Sequence, residues 1–523
     1  MKEVDVIVVG VGPAGAVLAG LLAQRDVRVA AFDRLPDLYP LPRAIGFDHE
    51  VMRIMQELQI SDRILRHAAA YRPSEYRGVD GQLIKRLDMA APPHRLGWAP
   101  NHVFDQPAFE REIRQRLTEL DAAEVHYSAE VTDCGEASDG VWADVKLADG
   151  RTERYRARYL VACDGGSSPI RKKLGIRLED LDFDEPWLVV DAIVPDAKLA
   201  ELPQTQVQYC EPDRPCTFVV GPGNHRRWEV MLLPGDSLSP DFPDEELWPL
   251  LARWVQPGEV KLWRAAAYRF HGLVAERWRG GRILLAGDSA HMTPPFMAQG
   301  MVQGLRDAQN LAWKLTRVLQ GESPDALLDS YGIERTPHVK ATTTAAIALG
   351  RVICERDPVR ARARDAKLLA EFDGEIRTTI RQNMIPDLAH GILAQDTPGA
   401  GSLFPQPKVA RSGGRSVLLD DLTGPCIRVV VSGDLTPVEA ARLNDSLQSL
   451  HARVVVLGED ASGMDGDVLQ VQEDGAVIAP WLAGLGTRIA VVRPDHYVYG
   501  TAAGIDDALA LIDRLKRQLA CEA

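Results

Sequence analysis

The most constraining feature of this chain lies in its first 33 residues. A β-branched run, Val4–Val9, is followed at once by Gly10-Val11-Gly12-Pro13-Ala14-Gly15. An apolar helical pattern comes next (Ala16, Leu18, Ala19, Leu22), then a second strand-like run, Val27–Phe32, ending at Asp33. This reads as a βαβ unit with a crossover helix. Glycines at this spacing allow a tight turn and a close backbone approach to a pyrophosphate seated on the helix N-terminus. Asp33, eighteen residues beyond Gly15, suits a ribose 2′-hydroxyl. The unit therefore predicts dinucleotide binding, and an acidic rather than basic residue at this strand end fits FAD or NAD without choosing between them.

Two later junctions repeat the grammar of strand followed by glycine. One is Tyr159-Leu-Val-Ala-Cys-Asp164, continuing Gly165-Gly166-Ser167-Ser168-Pro169-Ile170-Arg171. The other is Ile283–Ala286 followed by GDSAHMTPPFMAQG, residues 287–300. A nicotinamide dehydrogenase needs neither. A longer cofactor laid across several loops needs both, provided the three junctions converge.

At 523 residues the chain exceeds one core, so two or three domains are expected. Residues 180–270 alternate apolar and polar in short runs broken by turn signals, which predicts an antiparallel sheet inserted into the α/β domain. Leu305, Ala308, Ala312, Leu315 and Leu319 mark a long amphipathic helix. Helical patterns continue to Ile392, and the Pro- and Gly-rich stretch from Gln395 to Pro407 reads as a linker. The tail, with strand-like Ile427–Val431, Val454–Leu457 and Arg488–Val492 and a terminal helix over Asp506–Leu519, reads as a small α/β domain.

The formal net charge of −14 argues against nucleic acid or an anionic membrane as the main partner. No apolar run is long enough to span a bilayer, and the N-terminal apolar run reads as a strand rather than a signal peptide. The seven cysteines (Cys134, Cys163, Cys210, Cys216, Cys354, Cys426, Cys521) show no CxxC or Cys/His cluster, so no metal site is expected. An odd, unclustered set fits a reducing, cytoplasmic compartment.

Taken together, the three junctions resemble the fingerprints of the flavin-dependent aromatic hydroxylases, single-component FAD monooxygenases similar to p-hydroxybenzoate hydroxylase and phenol hydroxylase. The resemblance covers the whole chain. It implies an α/β fold: a Rossmann-like FAD-binding domain (1–180 and, with a helical region, 276–395), an inserted antiparallel-sheet substrate domain (181–275) and a thioredoxin-like C-terminal domain (405–523). It places Gly10, Gly12 and Gly15 at the FAD pyrophosphate, Asp33 at the adenosine ribose and Asp288 at the ribitol chain. Arg43 and Gln106 match cofactor-contacting residues, and Arg227 matches a mobile arginine near the flavin. Asp164 and Arg171 belong to a motif tied to both FAD and NAD(P)H, with a largely architectural role open.

The same resemblance gives the third junction a physical purpose. Pro294 and Pro295 stiffen a segment facing the flavin ring, and Pro295 is counted with the cofactor contacts. Gly300 and Gly304 let the next helix bring its N-terminus to the pyrimidine edge of the ring, where its partial positive charge favours reduced anionic flavin. His291 reads as fixing the loop by hydrogen bonds in preference to acting as a base. Ala298 and Val302 depart from the Gly-Gln-Gly-x-Asn pattern common in this loop.

Within the family, Pro42–Glu50, Val207–Pro215, Arg226–Met231 and Leu328–Arg335 look like the 3-(3-hydroxyphenyl)propionate hydroxylases. That implies NADH or NADPH as co-substrate, molecular oxygen, a C4a-hydroperoxyflavin, and ortho-hydroxylation of a small phenol such as 3-(3-hydroxyphenyl)propionate or 3-hydroxycinnamate. Resorcinol, hydroxybenzoate or polyketide phenols are the alternative, and a homodimer is consistent with the family. Pocket candidates are Gln208, Tyr209, Phe218, Met231, Pro294 and Phe296, although strand alternation allows only one face of each strand to point inward. Tyr209 and His271 are the conceivable phenol-activating or nicotinamide-contacting groups. Competing readings are a flavin reductase or halogenase, the latter without its WxWxIP pattern, and a non-catalytic flavoprotein scaffold. The tail has no CxxC for dithiol chemistry.

Overall fold

A computed structural model describes residues 2–239, 241–371, 376, 378–411, 414–458 and 468–520; Cys521 lies outside the described residues. The first βαβ unit forms part of a six-stranded sheet. Its strand order is Arg279–Gly280, Ile283–Leu285, Tyr159–Ala162, Val6–Val9, Val29–Phe32, Ala123–His126. Every pairing is parallel except that of the Arg279–Gly280 edge. The central strands are buried along their length, as parallel strands covered on both faces must be.

The register aligns the three junctions. Ala162 pairs with Val9 on one side and with Leu285 on the other, while Phe32 pairs with Val9. Gly10, Asp33, Asp164 and Asp288 therefore leave the carboxyl ends of four neighbouring strands, the edge where open parallel sheets bind ligands. Two helices cross there. Pro13–Ala23 starts directly from the glycine loop, and Gly300–Leu319 lies so close to it that a Cβ on Gly304 would stand 3.1 Å from the Gly287 Cα and 3.3 Å from the Ala14 Cβ.

Above this edge stands a nine-stranded sheet ordered His291–Met292, Lys261–Ala275, Leu178–Ile193, His225–Met231, Cys216–Val220, Gln206–Tyr209, Ser74–Arg77, Leu83–Asp88, Thr378–Ile380. It draws strands from outside 181–275. Ser74–Arg77 and Leu83–Asp88 read SEYR and LIKRLD, too polar and too short to show a strand period. The sheet has two distinct faces. Leu188, Val190, Tyr209, Phe218, Trp228 and Val230 pack with Leu247 and Leu251 of helix Asp244–Leu251. Trp187, Met231 and Phe270 turn the other way, towards Phe296, Met297 and helix Asp329–Ile353.

The C-terminal unit is a seven-stranded mixed sheet with helices Pro437–Leu447, Ile478–Gly484 and Ile505–Leu519. The stretch that reads as a linker is pinned to it: Ala394 N–H donates to Tyr499 O (2.7 Å), Gly401 N–H to Val498 O (2.9 Å) and Phe404 N–H to His496 O (2.9 Å). Turn residues there specify a fixed path, not a flexible one.

Helix Gly300–Leu319 is also more buried than its amphipathic pattern predicts. Its polar side faces partners rather than water. Lys314 donates to Glu334 (2.8 Å), Asn310 and Trp313 donate to Asp495, and Arg493 from the C-terminal unit makes two bonds to Glu334 (3.0 and 2.7 Å). No helix among the described residues is long and apolar enough to cross a membrane.

Against the cost of burial, the Arg493 and Lys314 charges hold the Glu334 carboxyl down to about 2. A carboxyl depressed on folding gives stability that is complete above its unfolded pKa, near 4.5, and is lost as pH falls towards 2. Glu334→Ala leaves Lys314 buried without a counter-charge and Arg493 with Asp495 alone, so it should lower stability by about 3–5 kcal/mol in denaturant titrations at pH 7. The loss should shrink below pH 4.

Candidate active site

The glycine loop separates packing from ligand approach. Gly10 has φ +96°, and a Cβ there would stand 2.3 Å from Cys163 O; one on Gly15 would stand 2.0 Å from Gly10 O. These two glycines are required by the fold itself. Gly12 differs, because a Cβ there would meet nothing within 4 Å. Its face is open space beside a helix N-terminus that has no side-chain cap.

Asp33 fixes this loop. Its Oδ2 accepts from Val11 N–H (2.8 Å) and its Oδ1 from Leu35 N–H (2.9 Å). Next to it stands Arg114 of helix Gln106–Thr118, which donates to Val11 O (3.2 Å) and stacks on Tyr127. Its Nε and one Nη are buried without a hydrogen-bond partner among the described residues. Such donors beside an open glycine loop fit an anionic ligand. In the sequence, Arg114 is one of several arginines on an ordinary amphipathic helix, and nothing marks it out.

The residues expected around the flavin divide into contacts and supports. Gln106 Oε1 accepts from the backbone N–H groups of Arg43 (2.9 Å) and Ala44, and its Nε2 donates to Glu110 (2.7 Å). Arg227 is buried and bidentate on Asp191 (2.7 and 3.1 Å), and it donates to Arg43 O (2.7 Å) and Pro42 O (3.4 Å). Arg264 donates to Pro42 O as well (2.6 Å). The expected mobile arginine is thus a fixed one, held by its fork-on-fork ion pair. Gln106 and Arg227 set the backbone of residues 42–44, and Arg43 alone is exposed, over the Tyr39 ring (4.8 Å).

Arg171 joins the second junction to the third, donating to Gly166 O (2.7 Å) and Ser289 O (2.8 Å). Asp164 accepts from Ile170 N–H (3.3 Å), while its Oδ1 is buried with no partner among the described residues. Burial pushes its carboxyl up, and a donor on a bound ligand would satisfy it. Asp288 is exposed and bonds to no described residue, yet burial raises its pKa while the nearby His291 and Arg43 pull it down. A group that is solvent-accessible and still desolvated by protein is a cleft wall.

His291 fixes the loop, as expected: it is fully buried, shares a hydrogen with Asp307 Oδ2 (2.7 Å) and stacks on Trp278. Pro295–Met297 forms a 3-10 turn, and Gly300 opens the long helix behind it. Ala298, which stands in place of a family glycine, keeps the left-handed conformation (φ +53°, ψ +38°) at a cost of about 1 kcal/mol.

The two faces of the nine-stranded sheet sort the pocket candidates. Tyr209 and Phe218 lie on the far face. Phe218 packs edge-on to Trp228, and Tyr209 lies against Trp254. Tyr209 is therefore neither a pocket residue nor a phenol base, because alternation along Gln206–Tyr209 turns Gln208 inward instead. His271 faces Asp184 (3.4 Å), one position beyond Phe270, which packs on Phe296, so its ring points away from the pocket. Gln208, Met231 and Phe296 share the near face, together with Tyr76, Thr217 and Glu229. Pro294 sits buried at the start of the same loop.

Tyr268 went unmarked in the sequence. It pairs across from Trp187 on this face and is 55% exposed, and burial with the nearby Asp288 carboxylate pushes its phenol up. An exposed aromatic ring beside Asp288 is a second wall of the cleft.

The open face at Gly12, the spare donors of Arg114, the orphan acceptor of Asp164 and the bare carboxylate of Asp288 run along one sheet edge. They fit a dinucleotide with a long polyol chain, and fold and cleft together define a flavoprotein. Residues 3–346 match the family model described as FAD binding domain, and residues 401–518 match the HcaD C-terminal domain. The chain belongs to the FAD-dependent aromatic hydroxylases of the class A flavoprotein monooxygenases.

It is 35% identical over 520 residues to the probable NADH-specific resorcinol 4-hydroxylase of Rhodococcus jostii (strain RHA1), covering 98% of this chain and 95% of that protein. It is 31% identical to the 3-(3-hydroxy-phenyl)propionate/3-hydroxycinnamic acid hydroxylase of Burkholderia cenocepacia (strain HI2424), covering 95% and 93%. Among solved structures, aklavinone-11 hydroxylase with FAD and aklavinone superposes with a TM-score of 0.78 at 23% identity, covering 99% of both chains. The flavin-dependent monooxygenase PieE does so at 19% identity with the same score and coverage.

The glycine geometry separates two effects. Gly12→Val should abolish FAD retention on purification while leaving the melting temperature of the apoprotein within about 2 °C, since the new side chain enters open space. Gly10→Ala should cost both, through the left-handed φ and the clash with Cys163 O.

Proposed function

We propose that this enzyme ortho-hydroxylates a small meta-substituted phenol at the expense of NADH. The observation that carries this reading is a juxtaposition. The inner face of the nine-stranded sheet, with Trp187, Met231 and Phe270, stands over the Pro294–Gly300 loop at the edge where the three glycine junctions meet. The two named relatives support the substrate class. Resorcinol and 3-(3-hydroxyphenyl)propionate are both phenols substituted at the meta position, and the 4-position of resorcinol is ortho to a hydroxyl.

Bound FAD would supply the hydride acceptance and oxygen activation that ring hydroxylation needs. The protein's residues do the rest. Arg43, Gly12, Arg114, Asp164 and Asp288 hold the cofactor, with Gln106, Arg171 and Arg227 setting the backbones that carry them. Phe296 and Met231 take the phenol ring and keep water from it. Thr217 Oγ1 donates to Gln208 Oε1 (2.6 Å), which fixes the amide and leaves Nε2 as a donor for the phenol oxygen. A fixed donor there stabilises the phenolate, the more reactive form of the ring.

The C-terminal unit is read as a thioredoxin-like domain in a packing role, and the molecule as a homodimer. Free cysteines among the described residues fit a cytoplasmic enzyme. A second reading, with resorcinol rather than the phenylpropionate as substrate, is favoured by the higher identity to the resorcinol 4-hydroxylase.

The test is anaerobic flavin reduction by NADH and by NADPH, each with 3-(3-hydroxyphenyl)propionate, resorcinol or no phenol. Reduction accelerated by one phenol, followed by one equivalent of catechol-type product in air, supports the proposal. Flavin reduction indifferent to every meta-substituted phenol overturns it. Gln208→Leu should lower kcat/KM for the accelerating phenol by about 10–100-fold with FAD content unchanged, the worth of one hydrogen bond to a charged group.

A further inference from the structure

The C-terminal unit reaches the flavin loop through one buried chain of hydrogen bonds. Tyr497 Oη donates to Glu50 Oε1 (2.8 Å), and no other donor among the described residues serves that oxygen. Glu50 Oε2 accepts from Arg306 Nε. The same guanidinium donates to Asp48 Oδ2 (2.5 Å) and to Gln299 Oε1 (2.6 Å). Gln299 is the residue that precedes helix Gly300–Leu319, and its Nε2 returns to Asp48 Oδ2 (3.3 Å). Asp48 Oδ1 in turn caps helix His49–Glu57. Tyr497, Glu50, Asp48, Arg306 and Gln299 are each at least nine-tenths buried.

Tyr497 is itself held in place. Arg493 N–H donates to its carbonyl (2.9 Å), closing a turn whose Arg493 and Asp495 side chains are the ones bound to Glu334, Asn310 and Trp313. The five residues Arg493–Tyr497 thus grip helix Gly300–Leu319 on one side and its N-terminal residue on the other. Surface docking would need none of this.

We propose that Tyr497 is a positioning residue for the flavin, acting through Glu50, Arg306 and Gln299 to hold the N-terminus of helix Gly300–Leu319 against the cofactor's pyrimidine edge. The inference rests on the placement of FAD given above. It gives the C-terminal unit a part in the chemistry that needs no CxxC. Without the Tyr497 hydroxyl, Glu50 Oε1 is left buried and unpaired, and it competes with Gln299 for the Arg306 donors. Released from Arg306, Gln299 no longer holds in place the backbone carbonyl that accepts from Gln303 N–H (2.9 Å) in the first helical turn, and the partial positive charge aimed at the flavin weakens.

Sulfite measures that charge directly, because it adds to oxidised flavin and leaves negative charge at the pyrimidine edge. The Tyr497→Phe holoenzyme, with normal FAD content, should bind sulfite about 3–10-fold more weakly by flavin bleaching. Its two-electron midpoint potential should fall by the equivalent, about 15–30 mV. Tyr499→Phe is the control. Tyr499 lies two residues further on, in strand Val498–Ala502, with its hydroxyl buried and unpartnered among the described residues, so removing that hydroxyl should change neither quantity.

If the wild type binds sulfite and Tyr497→Phe matches it in both affinity and potential, the brace is overturned while the cofactor site stands. Equal shifts in Tyr497→Phe and Tyr499→Phe overturn it too, as a general packing effect. A wild type that retains no FAD sinks the placement on which the inference depends.

Discussion

One carboxylate ties the cofactor edge to the body of the protein. Asp307, fully buried on helix Gly300–Leu319, accepts from Gly287 N–H (3.0 Å) and shares a hydrogen with His291 (2.7 Å) through Oδ2, while Oδ1 accepts from Arg335 (2.8 Å). The third glycine junction, the loop that follows it and helix Asp329–Ile353 are all referred to this group. Its charge survives burial because His291 and Arg335 surround it, and its carboxyl is held below the usual range. Around it Gly304 and Gly287 come within backbone contact, so the helix has no freedom to slide. The open cleft at Gly12 and Asp288 exists because everything beside it is fixed.

How much of this could be read from the chain depends on the range of the interaction. The glycine junctions were legible because each is local: a strand, a turn that needs glycine, and an acidic residue at a set distance. Their convergence follows from parallel pairing, which the βαβ pattern implies. The faces of the nine-stranded sheet were not legible. Tyr209 and Gln208 are neighbours with equal claim to the pocket, and only the position of helix Asp244–Leu251 decides which one turns inward. A polar helix side is equally ambiguous. Arg306, Asp307, Asn310 and Lys314 look like a solvated stripe until partners far along the chain cover them.

The arginines follow the same rule of range. Arg227 carries a family expectation of mobility, but Asp191 stands directly across the sheet from it, and a cross-strand pair is invisible without the register. Arg114 is the converse case, an unremarkable residue whose place beside Val11 leaves two buried donors to spare. Supports such as Gln106 and Arg227 hold the backbone behind the groups left free to touch a ligand. That is the economy of a preorganised site: most polar atoms near it are already committed, and the few that are not define what it accepts.

The turn Arg493–Tyr497 has a consequence for how the molecule comes into being. It belongs to the last strands made among those described, yet it closes on helices laid down far earlier, at residues 49–57 and 300–319. The nucleotide cradle also waits on three segments spread over nearly three hundred residues. During synthesis the early strands can pair only with one another, and Glu50 Oε1 stays without its Tyr497 partner until the Arg493–Tyr497 turn is made. A chain stopped short of residue 497 would leave the ribosome with its pocket lining in place and without the turn that closes on those helices.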